Sequence, residues 1–457
     1  MQHVRLGDVA QINPRFDKSS LADDVPVSFV QMASVGAADG KINVSIVRPF
    51  AEVKKGSYTP FKDGDVLFAK VTPCMENGKM AVARGLTNGV GFGSSEFHVL
   101  RPSDQVDAKY LYYFVSSQAF RKEAAGHMTG AVGLRRVPAA FLADKEIPLV
   151  PLDEQRRIVA EIEQQFSRLD EAVANLQRVK ANFKRYKASV LKSAVEGRLV
   201  ETEASIAQRE GRNYETGEQL LQRILDERRA KWTGKGKYKE PLLPVTEDLP
   251  TLPDGWTWAT LDSLAALKGG ITVDSKRVDS SARLVPYMRV ANVQRGFIDL
   301  AEVKQINASP ADIEELRLEH GDVLFNEGGD RDKLGRGWIW EGQLGDCIHQ
   351  NHVFRARMYL GAMSPKLVSW WGNTFGKDYF LRVGKQTTNL ASINLGKLSE
   401  FPVPVPPRTE QLRMVQEIER LLSVVDEVEA DVDSNLQRAL LLRRATLNKA
   451  FSMRIPA

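Results

Sequence analysis

The chain has 457 residues, is 43% hydrophobic and 26% charged, and carries a formal net charge of +5 with a pI near 9.0. At roughly 100 to 200 residues per domain this length calls for two or three domains. The sequence has no run of 18 apolar residues, no basic start followed by an apolar stretch, and only two distant cysteines, Cys74 and Cys347, so it reads as a soluble, cytoplasmic chain with no membrane span, disulfide frame or zinc cluster.

Residues 1–150 mix short β-like runs with Gly, Pro and Asn turns. Val27 to Ala33, Asp65 to Ala69 and Glu96 to Leu100 are predicted strands, and Tyr110 to Ala124 a helix whose aromatic residues belong to a core. Residues 151–199 follow. Here Val159, Phe166, Val173, Lys180, Lys187 and Ala194 recur every seven residues, with Ile162, Leu169, Leu176, Phe183 and Val190 as the second heptad position. That spacing predicts a long coiled-coil helix, with Pro151 just before it where no backbone N–H is needed.

Residues 200–250 change character. Gly217 to Trp232 reads as a helix, and Gly234 to Lys239 with the prolines from Pro241 to Pro253 as a basic linker, either simply flexible or an arm that contacts phosphate. A second lobe, 251–405, has predicted strands at Tyr287 to Val290, Asp322 to Phe325 and His352 to Ala356 and a helix at Lys366 to Phe380. Residues 406–457 then repeat the heptads, with Val415, Leu422, Glu429, Leu436, Arg443 and Ala450 alternating with Ile418, Val425, Val432, Ala439 and Thr446.

The halves are copies. Pro148 to Gln155 returns as Pro404 to Gln411, with Glu154 and Glu410 lying 256 residues apart, and the match runs on without a gap to Arg198 and Arg454. Lys62-Asp-Gly-Asp-Val-Leu-Phe68 matches Glu319-His-Gly-Asp-Val-Leu-Phe325, Leu6 to Ala10 matches Leu261 to Ala265, and Phe97-His-Val is aligned with His352-Val-Phe. The expected fold is therefore α+β: two similar α/β lobes, a pseudo-twofold internal repeat, and two long antiparallel coiled-coil helices. The seam comprises Ile162, Leu169, Leu176, Phe183 and Val190 with Ile418, Val425 and Val432, and Lys180 is expected to face Glu429. Pairing with a different chain is the competing reading.

Catalytic signatures are absent. No Gly-Lys is followed by Ser or Thr, the only Pro-Pro is Pro406-Pro407, and there is no His-Glu-x-x-His, Cys-x-x-Cys or Gly-x-Ser-x-Gly. Glu52-Val-Lys54 and Glu302-Val-Lys304 have a nuclease-like Glu-x-Lys form that also fits ordinary strand residues. No catalytic or metal-binding residue is assigned.

The Pro-Leu-x-Glu-Gln start of a long helix, its second copy, Gly-Asp-Val-Leu-Phe, and Asp254-Gly-Trp-x-Trp resemble the specificity subunits of type I restriction-modification systems over essentially the full chain. The resemblance implies a non-catalytic subunit whose lobes are target-recognition domains, each reading half of a split double-stranded DNA sequence. It also implies that the helices dock methyltransferase subunits, two of them, within a complex that includes restriction and translocase subunits. S-adenosylmethionine, ATP and Mg are expected on those partners, with no cofactor on this chain. Polar residues in Gly-punctuated loops are the candidate DNA contacts: Lys70, Lys79, Arg84, Arg135 and Arg136 in the first lobe, and Arg289, Asn292, Arg331, Lys333, Arg336, Lys385 and Gln386 in the second. Arg pairs with guanine and Asn or Gln with adenine in the major groove, although each residue taken singly also fits a solvated surface. The rivals from other classes are a coiled-coil scaffold that binds only proteins and a self-sufficient nuclease.

Overall fold

The computed structural model describes residues 2–131, 133–230, 232, 236–273, 280–329, 333–359, 361, 363–386 and 391–452. They form two compact units, residues 1–179 with 431–457 and residues 180–430. No described helix is long and apolar enough to cross a membrane.

In the first unit the chain runs β1 (Gln2–Arg5), α1 (Leu6–Val9), β2 (Ala10–Ile12), β3 (Pro26–Val30), β4 (Val47–Pro49), α2 (Phe50–Val53), β5 (Thr59–Lys62), β6 (Val66–Ala69), β7 (Met80–Val82), β8 (Val90–Gly93) and β9 (Phe97–Pro102). It continues through α3 (Ala108–Ser116), α4 (Gln118–Gly126), β10 (Thr129–Ala131), β11 (Leu134–Arg136), α5 (Ala139–Asp144) and β12 (Glu146–Leu149) into the long helix α6 (Leu152–Val195). One sheet has the order β2-β9-β6-β7 and a second β4-β3-β8-β5, in which β3 and β8 run parallel. The predicted helix Tyr110 to Ala124 is in fact two, because the Ser117 hydroxyl caps a new start by accepting the Phe120 N–H.

After α6 come α7 (Glu203–Glu210), α8 (Gly217–Ala230), β13 (Thr257–Thr260), α9 (Leu261–Leu264), β14 (Ala265–Lys268), β15 (Arg283–Met288), β16 (Lys304–Ala308), α10 (Pro310–Leu316), β17 (Val323–Asn326), β18 (Gly328–Gly329), β19 (Gly337–Ile339), β20 (Ile348–His349) and β21 (Val353–Met358). The chain closes with α11 (Pro365–Val383), β22 (Lys385–Gln386), β23 (Ala391–Ser392), α12 (Leu395–Ser399), β24 (Pro402–Val405) and α13 (Arg408–Ser452). Sheet order β14-β21-β17-β19 and the parallel pair β15·β20 repeat the topology of the first copy. So do the closing pairs β1·β12 and β13·β24, each joining the start of a lobe to its last strand. Helix α7 has no counterpart in the sequence reading, although Thr202 as its cap and left-handed Gly211 at its end are ordinary boundary signals.

The register corrects one alignment. Phe68 pairs with His98 and Phe325 with Phe354, so His98 corresponds to Phe354 and Phe97 to Val353, one residue away from the match made by letter. A slip of one residue exchanges the two faces of a strand, which is why the buried pattern decides.

The repeated Gly-Asp is a fold element. Gly64 and Gly321 take φ of +91° and +92°, and the aspartate after each closes its turn: Asp65 accepts the Lys62 N–H and Asp322 the Glu319 N–H. Each aspartate also accepts a two-pronged arginine from the neighbouring strand, Arg101 at 2.8 and 2.7 Å and Arg357 at 2.8 and 2.8 Å.

The repeated Glu-Gln works the same way. Gln155 is fully buried; its amide donates to the carbonyls of Gln105 and Val150 and accepts the N–H of Asp107, the cap of α3. Gln411, also fully buried, donates to the Pro406 carbonyl and accepts the N–H of Ser364, the cap of α11. Ion pairs Lys109–Glu163 and Lys366–Glu419 add a second tie between lobe helix and long helix.

Within the first unit α6 and α13 run antiparallel, with Gln165 beside Thr446, Asp170 paired with Arg443 at 2.6 Å, and Arg443 over the Phe166 ring. Within the second, Lys187 pairs with both Asp426 and Glu429 at 2.7 Å, while Val195 and Met414 line one small cavity. The chain closes its own seam: Ile162, Val190, Ile418, Val425 and Val432 are buried, with Leu169, Leu176 and Phe183 half-buried. Glu429 thus faces Lys187 and not the expected Lys180, because the helices are offset from full end-to-end overlap. Burial pulls the Lys187 ammonium down, but the two carboxylates outweigh it and hold its pKa above the ordinary value.

Gln155→Ala strips two carbonyls and one N–H of their partners, at a cost of about 2 to 3 kcal/mol; hydrogen exchange of the first α3 amides should accelerate correspondingly, and unchanged protection would contradict the tie. His349 is fully buried, donates from Nδ1 to the Val353 carbonyl at 2.6 Å, and is pushed down from 6.5 to about 4 by desolvation. The unfolded chain therefore binds a proton that the folded one refuses, and the second unit should lose up to about 3 kcal/mol as pH falls from 6.5 to 4. All 7 tryptophans lie in that unit, so their fluorescence in urea at several pH values reads this loss directly, and His349→Gln should flatten it.

Candidate nucleic-acid interface

The two lobes present topologically matched loops. After β6, Lys70 N–H donates to the Glu96 carbonyl and Val137 N–H to that of Lys70; after β17, Glu327 N–H donates to the His352 carbonyl and Ile393 N–H to that of Glu327. Onto this frame the first lobe docks the exposed hairpin β10·β11 through a bridge from Val71 to Arg136, and the second docks β22·β23 through β18.

The structure brings Lys70, Arg135 and Arg136 together at the first hairpin. Arg135 is exposed and pairs with Glu76 at 3.6 Å. Arg136 grips Glu96 with two bonds of 2.9 and 2.7 Å, and this hydrogen-bonded guanidinium holds the Glu96 carboxyl below its usual range. Lys79 stands apart, half-buried and donating to the Met32 carbonyl at 3.1 Å, while Arg84 is exposed in the turn after β7. Lys385 is exposed on β22 beside Gln386; Arg331 lies outside the described residues, as does the central part of the basic linker, 233–235.

Three second-lobe candidates brace the lobe internally. Asn292 is buried, donating to the carbonyls of Asp299 and Glu302 and accepting the Arg289 N–H. Arg336 is buried and donates to the carbonyls of Val293 and Val290, and Arg289 reaches the Glu302 carbonyl at 3.0 Å. The loop 289–303 exposes these carbonyls internally, and a buried carbonyl needs a donor more than the surface needs a charge. Lys333 is half-buried near this brace. Sequence reasoning missed Asn326, fully buried with its amide on Val293 O, and the Asp–Arg forks, whose signal was the recurrence of an arginine at matched spacing in both copies.

Of the nuclease-like fragments, Glu52 lies in α2 and Lys54 pairs with Asp23, while Glu302 lies 3.9 Å from Lys304. Among the described residues no group of three His, Cys, Asp or Glu side chains is placed to hold a metal ion.

Residues 1–179 match the family described as Type I restriction modification DNA specificity domain. The chain is 28% identical to the EcoAI specificity subunit of Escherichia coli over 98% of its own length and 82% of that protein, and 26% identical to the EcoEI specificity subunit over the same shares. Two solved structures share its fold: a chain from a study of assembly and conformational transition in the type I R-M system (TM-score 0.65, 21% identity, 98% of this chain and 97% of that one) and the HsdS subunit from Thermoanaerobacter tengcongensis (TM-score 0.55, 19% identity, 98% and 96%). The Glu-Gln helix starts are duplicated, and the chain is similar over nearly its whole length to specificity subunits of type I restriction enzymes, with residues 1–179 matching the family's DNA specificity domain.

Proposed function

We propose that residues 1–150 and 251–405 each read one half of a split DNA target, that residues 151–199 and 406–457 set the gap between halves and carry two methyltransferase subunits, and that 200–250 joins the halves. The chain performs no chemistry in this reading; S-adenosylmethionine, ATP and Mg act on the methyltransferase and restriction subunits. The observation that carries it is the duplication itself: one sheet order, one Asp–Arg fork and one Gln tie, used twice. A duplicated reader on duplicated spacers fits a bipartite site, with phosphate contacts giving register and a few side chains giving sequence.

Matched seven-residue insertions in α6 and α13 keep the seam in phase and lengthen each helix by about 10 Å, near three base-pair steps. Methylation mapping should show a gap widened by about that amount with both half-sites unchanged; altered half-sites at an unchanged gap would refute the spacer reading. Arg135→Ala should weaken duplex binding and lower the salt slope by about one. Asn292→Ala should instead leave that slope alone and destabilise the second unit by about 1 to 3 kcal/mol in tryptophan-monitored urea unfolding.

A further inference from the structure

The starts of α6 and α13 carry the same residues in different company. Glu410 is fully buried, accepting the Glu203 N–H at 2.8 Å and the Trp256 Nε1–H at 3.0 Å. Arg413 pairs with the Glu203 carboxylate at 2.7 Å. Together they hold the acidic first turn of α7, whose N-terminal N–H groups and leading carboxylate meet a matching acceptor and cation. Pro407 beneath is buried as well.

At the first copy the equivalent residues are Glu154 and Arg157. They pair with each other at 2.6 Å, their side chains 37% and 68% exposed, and Pro151 is exposed. Three neighbours differ: Leu152 stands where the second copy has Arg408, Asp153 where it has Thr409 and Arg156 where it has Leu412, so the second copy carries one positive charge more while the glutamate and arginine of the pair are kept. The backbone that positions the pair is also the same, since Gln155 and Gln411 anchor both helix starts.

We propose that Glu154 and Arg157 form a docking site for the acidic first turn of a helix in another polypeptide, received as Glu203 is received by Glu410 and Arg413. The partner's first backbone N–H donates to Glu154, and its leading carboxylate takes Arg157 away from that glutamate. The inference is independent of DNA reading: it rests on the repeat and on which residues cover its second copy.

The test uses the full chain and a fluorescein-labelled synthetic peptide copying residues 199–213. Saturable one-to-one binding in fluorescence anisotropy is expected. Arg157→Glu should weaken it tenfold or more, about the loss from one hydrogen-bonded charge pair. A peptide carrying Glu203→Lys should bind weakly to the native chain and regain affinity for the Arg157→Glu chain. Arg157 is exposed, and circular dichroism of the variant guards against a folding defect. Binding indifferent to Arg157→Glu, or no saturation by about 1 mM peptide, overturns the proposal. A chain that dimerises alone and loses the dimer on Arg157→Glu would support the site, with α7 of a second copy as its occupant.

Discussion

Everything in each unit hangs on one buried amide. A glutamine in the first turn of each long helix spends its side chain on backbone groups of the lobe and of the connecting proline-rich segment, and in each case it also holds the cap of the lobe's main helix. Such groups are costly to leave unpaired inside a protein, so the amide tolerates little displacement. It fixes the direction in which the long helix leaves the lobe. That function explains why Gln recurs at both starts, and why Lys109–Glu163 and Lys366–Glu419 recur about two turns further along.

The helix pair solves a different problem, that of register. Its apolar stripe alone would tolerate sliding by a heptad. Lys187 occupies a stripe position yet is only about a third exposed, and it meets two carboxylates, Asp426 and Glu429. Half-exposed ion pairs contribute little net stability. Moving this lysine one heptad away from both carboxylates, however, would leave its desolvation uncompensated, so the pairing selects a register more than it adds stability. Asp170 with Arg443 sets the same offset in the other unit.

The parts of this architecture legible in the sequence are those tied to periodicity and repetition: the heptads, the duplicated Glu-Gln, and Gly-Asp-Val-Leu-Phe as a strand start. What escaped was assignment of polar side chains. Asn292 and Arg336 look like base readers because they are polar residues near glycines, but an irregular loop leaves carbonyls without ladder partners, and these two side chains supply the missing donors. Sequence does not reveal which carbonyls a loop turns inward. Conversely, the register of β9 and β21 could not be settled by matching letters, because alternation of faces, set by pairing with β6 and β17, overrules identity of residues.

The same frame also shows where the copies were free to diverge. Asp65 and Asp322, Arg101 and Arg357, Gln155 and Gln411 are identical pairs that keep the same two-pronged arginine and the same donation to the carbonyl five residues before the glutamine. At the hairpin frame the backbone bonds are kept while the side chains change: Lys70 becomes Glu327, Glu96 becomes His352, and Arg135-Arg136 becomes Ala391-Ser392. The first copy pairs Arg136 with Glu96, and the second pairs His352 with Glu327, so even the position bearing the anion has moved to the other strand end. On the DNA-reading proposal, two readers alike in backbone but opposite in local charge order cannot favour the same base edges. The half-sites they select should then differ in sequence, which gives a bipartite target a direction as well as a gap.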